Sequence, residues 1–206
     1  MFDSLLVQFV VLWAVIDPIG SIPVYLTKTA RLSAEERHHV ALKSVLIASG
    51  ILLFFLLVVQ VLFELMQIPL SAFQIAGGLV LFIFALTMIF GEGKPEHEIK
   101  MHTNLSELAV YPLAVPSIAS PGAMMAIVML TDNHRFSFTD QLITALIMLS
   151  VLGITYVLFL IANRIQKLIG NTGAAVISRV MGLILAAVAV NNILVGIHDF
   201  YIQSLH

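Results

Sequence analysis

The chain has 206 residues, of which 60% are hydrophobic and 11% charged, with a formal net charge of -2 and no cysteine. Soluble globular domains run at about 45–50% apolar and about 25% charged, so these figures exclude a water-soluble enzyme, a disordered chain and a disulfide-stapled secreted domain, and they leave no basic face for nucleic acid. A span takes about 20 apolar residues, so the length holds about six membrane spans and no second, soluble domain.

The first apolar stretch, 4–27, is interrupted near its middle by Asp17-Pro18-Ile19-Gly20 and again by Pro23. No basic stretch precedes it, so it reads as a retained span, not a cleaved signal. The second, 41–63, is uninterrupted, and 45–59 carries no charge. The third, 70–90, holds Gly77, Gly78 and Thr87. A polar stretch follows; its His97 and His102 with Glu96 and Glu98 read as a solvated cytoplasmic loop. The fourth, 108–131, is again broken, by Pro112, Pro116, Pro121 and Gly122. The fifth is 140–162, and the sixth, 177–198, carries Asn191 and Asn192. The fold class is therefore all-α and polytopic, with spans one and four broken at the midplane.

The connections after spans one, three and five hold Lys28, Arg31, Arg37, Lys43, Lys94, Lys100, Arg164, Lys167 and Arg179, and the opposite side holds only Arg135. Basic residues collect on the cytoplasmic side, so both termini are predicted on the outer side.

The halves of the chain resemble one another. Pro18 and Pro121 are 103 residues apart, as are Gly50 and Gly153, and Gly78 and Gly182 are 104 apart. A three-span unit ends opposite to where it begins, so its second copy inserts upside down. The prediction is two inverted repeats, 1–90 and 108–206, joined by a linker at 91–107. Inverted repeats are a signature of carriers that alternate access around a central site.

Five of the seven prolines sit in spans one and four. Proline removes a backbone donor and clashes with the preceding helical turn. Broken backbone in hydrocarbon is tolerated only where protein or cavity water satisfies it, so two matched breaks predict one shared site. The half-helix starts at 18–22 and 121–125 present N–H groups and the positive dipole end, which suit a carboxylate. The candidate substrate-binding residues are Asp17, Pro18, Gly20, Ser21, Ser120, Pro121, Gly122, Ala123 and Asn191.

Asp17 is the only ionisable side chain near the middle of a span, where it costs about 3 kcal/mol to insert. It either caps the second half-helix, or binds an ammonium, carries a coupling proton or coordinates a cation; the two roles are compatible. Ser120 reads as its neutral counterpart. Asn191, Asn192 and Thr87 are interhelical hydrogen-bond groups or cavity lining. Gly50, Gly77, Gly78, Gly153 and Gly182 are expected at close helix contacts. The expected partners are the bilayer and a small zwitterionic solute, with a homo-oligomer left open. No HExxH, Walker A, GxGxxG or GxSxG pattern occurs. No cofactor is expected beyond a coupling proton or sodium. One carboxylate without a histidine or cysteine is poor material for an intramembrane enzyme.

The run Asp17-Pro18-Ile19-Gly20-Ser21-Ile22-Pro23, then Tyr111-Pro112-Leu113-Ala114-Val115-Pro116 and Ser120-Pro121-Gly122-Ala123, resembles the MarC family of bacterial and archaeal inner-membrane proteins, itself similar to the LysE-type exporters. The resemblance covers essentially the whole chain. It implies a six-span protein of the cytoplasmic membrane, and one branch of the family is described as transporting alanine and glycine. Relatives commonly carry glycine where this chain has Ser120, which adds a hydroxyl beside the expected site. The leading expectation is a secondary transporter of small neutral amino acids; the alternatives are an ion channel and a non-transporting sensor or scaffold.

Overall fold

The computed structural model describes residues 2–66, 69–90, 105–133 and 136–203, which form helices and connecting turns with no strand among them. In order they are α1 (Phe2–Ile16), α2 (Ser21–Lys28), α3 (Ala34–Phe54), a wide helical turn (Phe55–Val59) leading into α4 (Gln60–Leu65), α5 (Leu70–Phe90), α6 (Leu105–Leu108), an irregular segment (Ala109–Ile118), α7 (Pro121–Leu130), α8 (Phe138–Leu160) and α9 (Ala162–Gln203). The expected linker lies outside the described residues up to Leu105, and with it His97, His102, Lys94 and Lys100. His134, Arg135 and His206 lie outside them too.

Among the described residues, four helical stretches are long and apolar enough to cross a bilayer: Leu5–Lys28, Ala34–Val59, Phe138–Leu160 and Ala175–Tyr201. Leu105–Ile118 and Pro121–Leu130 form a fifth as a pair bent by 57°. The remaining expected span is helical over Leu70–Phe90, with Gln74–Phe90 as its apolar described part. α9 turns sharply at Gly170, whose φ of 70° and ψ of 176° is a backbone conformation open essentially to glycine.

Local sequence explains the helix starts. Ser33 accepts from Glu36 N–H, and the Glu36 carboxylate accepts from Ser33 N–H, closing a capping box at α3. Ser137 and Asp140 close the same box at α8, 104 residues on. Each box satisfies two backbone donors that a helix start leaves open. At the other end of α2, Thr29 donates its hydroxyl to the Tyr25 carbonyl at 2.7 Å, and Thr131 donates to Ile127 at the same distance beyond α7.

α5 and α9 pack as an antiparallel pair through reciprocal contacts. A Cβ on Gly78 would lie 3.0 Å from the Ala189 carbonyl and 2.6 Å from Ile193 Cγ1. A Cβ on Gly182 would lie 3.1 Å from the Ala85 carbonyl and 3.0 Å from Ile89 Cγ1. Ala189 and Ile193 stand 104 residues after Ala85 and Ile89, the same interval that separates the glycines. The missing Cβ atoms let the backbones approach, the usual basis of helix association where lipid supplies no hydrophobic drive. Gly77 similarly faces Met125 and Met129.

Gly50 and Gly153 do not follow the expectation of close helix contact. A Cβ on either would meet nothing within 4 Å, because both sit on outward faces of their helices.

The buried core lies where α1, α3, α8 and the broken segment converge, with Leu12, Ile16, Leu52, Leu113, Met148 and Leu152 enclosed. Large apolar side chains such as Leu6, Leu57, Leu79, Phe90, Leu146 and Leu183 point outward, as they do in a helix whose solvent is lipid.

Candidate functional site

The site is built from the two breaks. α1 runs to Ile16 and stops because Pro18 cannot continue the backbone ladder. Asp17 takes a positive φ of 47°, a region where a short polar side chain is among the few that settle. Its carboxylate turns back over the new helix start. Oδ1 accepts the Gly20 N–H at 3.0 Å, and Oδ2 accepts the Ser178 hydroxyl of α9 at 2.9 Å. Gly20 makes room for this: a Cβ there would collide with Asp17 Oδ2 and Ser178 Oγ. Ser21 donates its hydroxyl to the Asp17 carbonyl at 2.9 Å.

The second break is longer. Tyr111 and Val115, each preceding a proline, are extended, with φ/ψ of -127°/127° and -130°/127°; the proline ring disfavours helical geometry in the residue before it. Both the Tyr111-Pro112 and the Val115-Pro116 bonds are cis. Helix resumes at Pro121, with Ser120 as cap accepting the Ala123 N–H at 3.0 Å. Asp17 and Ser120 thus do the same thing: each precedes a proline and each takes the N–H three residues on.

The breaks touch. Ser120 donates its hydroxyl to the Val15 carbonyl at 3.1 Å, and Ser117 donates to Ser21 Oγ at 3.2 Å. Asp17, Ser21, Ser117, Ser120 and Ser178 are all buried. The result is a polar cluster inside an apolar bundle, made of one carboxylate and four hydroxyls.

Beside it lies a cavity of about 330 Å³ lined by Val24, Val80, Ile83, Phe84, Thr87, Pro112, Pro116, Ser117 and Pro121. Its lining is mainly apolar, and Ser117 belongs both to it and to the polar cluster. Thr87 lines it with its hydroxyl bonded to the Phe84 carbonyl at 2.7 Å.

The structure therefore brings Asp17, Pro18, Gly20, Ser21, Ser120 and Pro121 together. Gly122 is there too, but its N-terminal turn is covered: a Cβ would lie 2.7 Å from Cδ1 of the Phe84 ring. Ala123 contributes its N–H to the cap. Asn191 stands elsewhere, exposed on α9 and thirteen residues from Ser178, about 20 Å along a helix. Asn192 approaches Met129 Sδ at 3.8 Å. Ser178 and Ser117 are the members that motif reading missed. Ser178 is one helical turn before Gly182, and a small hydroxyl beside a packing glycine in an apolar run was the available signal. The Arg37 guanidinium donates to the Thr29, Leu32 and Ala30 carbonyls, holding the loop after α2. No group of three or more histidine, aspartate or glutamate side chains among the described residues could hold a metal ion.

These features define an integral membrane protein of several apolar helices, two stretches of which break against one another. The sequence model described as "MarC family integral membrane protein" matches residues 2–201, and the chain belongs to that family. It is similar to UPF0056 membrane proteins across bacteria and archaea. It is 35% identical over 195 residues to one of Methanocaldococcus jannaschii, covering 93% of this chain and 95% of the other. It is 32% identical over 208 residues to one of Bacillus subtilis, covering 98% and 97%. It is 32% identical over 198 residues to one of Escherichia coli, covering 94% and 91%. No solved structure matches.

Proposed function

We propose that this chain is a secondary transporter of small neutral amino acids in the cytoplasmic membrane, working by alternating access between two inverted three-span repeats. The observation that carries the reading is the mutual bonding of the two breaks around a buried carboxylate. A buried charge is costly in a bilayer, and the Asp17 carboxylate accepts two hydrogen bonds among the described residues. A carboxylate offers about four acceptor positions, so it retains capacity for a substrate ammonium, a coupling proton or sodium. The caps at Ala123 and Gly20 and the hydroxyls of Ser21 and Ser120 would meet the substrate carboxylate once the breaks part.

Several features support the inverted repeat: the matched proline caps, the capping boxes 104 residues apart and the reciprocal Gly78 and Gly182 contacts. Six spans follow if α5 crosses as well, and the basic residues after spans one, three and five then put both termini outside.

Uptake and counterflow of labelled alanine and glycine into proteoliposomes test the reading, with and without proton and sodium gradients. Saturable uptake is expected. If neither these nor other small neutral amino acids move, the reading fails, and unitary currents in the same vesicles would identify a channel.

A further inference from the structure

The two breaks match in chemistry but not in height. The first sits against Ser178, which bonds Asp17 and also lies over Gly20. At the intervals of 103 and 104 that relate the halves, the equivalents of Gly20 and Ser178 are Ala123 and Gln74. The second break engages another level: Gly122 lies on Phe84, ten residues beyond Gln74, or about 15 Å along a helix. The equivalent of Phe84 is Val188, ten residues beyond Ser178. The α5–α9 pair is thus symmetric within itself and asymmetric against the breaks.

One rigid shift exchanges the two environments. Because α5 and α9 are antiparallel, sliding the pair toward the C-terminal end of α5 also slides it toward the N-terminal end of α9. That single movement carries Gln74 to the level of Ala123 and Val188 to the level of Ile19. Gln74 is the group that such a shift would serve. It is buried, with 6% of its surface exposed, and its Oε1 has no hydrogen-bond partner among the described residues. A buried acceptor left unpaired is unfavourable, and a partner in a second position would satisfy it.

We propose that α5 and the part of α9 beyond the Gly170 turn, residues 171–203, move as one body along α2 and α7 by about 15 Å, and that in the second position Ser120 releases the Val15 carbonyl and donates its hydroxyl to Gln74 Oε1, as Ser178 donates to Asp17 here. Asn191, the equivalent of Thr87, then arrives at the first break, and the cavity beside Pro121 closes as its counterpart opens beside Pro18. The movement rests on the carrier reading above and supplies its mechanical step.

The chain has no native cysteine, so paired cysteines report the states without background. Phe84→Cys with Gly122→Cys marks the observed position. Ile19→Cys with Val188→Cys, and Gln74→Cys with Ala123→Cys, mark the second. In full-length protein in proteoliposomes, each pair is treated with a short bifunctional thiol reagent and crosslinking is read as loss of maleimide labelling. Near-complete loss in the first pair and in at least one second-position pair is expected; the two second-position pairs guard against one variant failing to fold. Crosslinking of the first pair alone overturns the proposal. The readout needs no substrate: amino-acid uptake without second-position crosslinks sinks the movement and spares the carrier reading. Crosslinks without uptake do the reverse.

Discussion

Ser120 Oγ donates to the Val15 carbonyl at 3.1 Å, so the cap of one break satisfies an acceptor released by the other. In an unbroken helix that carbonyl would take the N–H of Ile19, four residues on. The bond makes the two breaks one structural unit, although more than a hundred residues separate them.

Ser120→Ala should therefore remove two interactions at once, the Ala123 cap and the Val15 bond. A lost cap costs about 1 kcal/mol, and a stranded buried carbonyl adds about 1–3 kcal/mol. Thermal unfolding of the purified protein should drop by roughly 4–16 °C, taking about 2–4 °C per kcal/mol for a chain of this size. Ser120→Thr keeps the hydroxyl and should recover most of the loss. Equal melting temperatures for Ser120→Ala and the parent would show that the Val15 bond is not made.

Two glycines chosen by environment should respond with opposite signs. Gly20→Ala drives a Cβ into the Asp17 carboxylate and Ser178, displacing a buried charge from its donors, and should destabilise by about 2 kcal/mol or more. Gly50→Ala meets nothing within 4 Å and lies inside α3, where alanine is favoured over glycine by about 0.5–1 kcal/mol. It should raise the melting temperature slightly. Denaturation of the two variants side by side settles the contrast; a stable Gly20→Ala protein would contradict the collision.

Gly78→Ala and Gly182→Ala should each force α5 from α9, because each Cβ would lie within about 3 Å of a carbonyl on the facing helix. Residues sharing one interface are not additive. The first substitution opens the seam and the second uses the space it creates. The double variant should therefore lose less stability than the two single losses together. Strict additivity would mean that the two contacts do not share a seam.

The placement of breaks was legible in the sequence because proline and glycine act locally: Pro18, Pro121 and their preceding caps specify helix starts wherever they stand. The 103- and 104-residue spacings were legible in the sequence, and the capping boxes at Ser33 and Ser137 lie at the same interval. What the chain order could not supply was contact at a distance. Asn191 looked central because it lies mid-span, but an α-helix gives its residues different heights and faces, and Ser178, near the start of the span, is the residue that reaches Asp17. The cover that Phe84 places over Gly122 is likewise a matter of how α5 sits on α7, which no local signal encodes.

Asp17→Asn separates capping from coupling. The amide oxygen can still accept the Gly20 N–H, and the Ser178 hydroxyl can turn to accept from the amide nitrogen, because a hydroxyl both donates and accepts. Folding should therefore survive, with a melting temperature within a few degrees of the parent, about 1 kcal/mol at this chain length. The charge is gone, however, and with it the group that would hold an ammonium, proton or sodium. Gradient-driven uptake in proteoliposomes should fall to background. Retained uptake with lowered stability would make Asp17 a cap alone, and the work of binding would then pass to the serines and freed carbonyls around it.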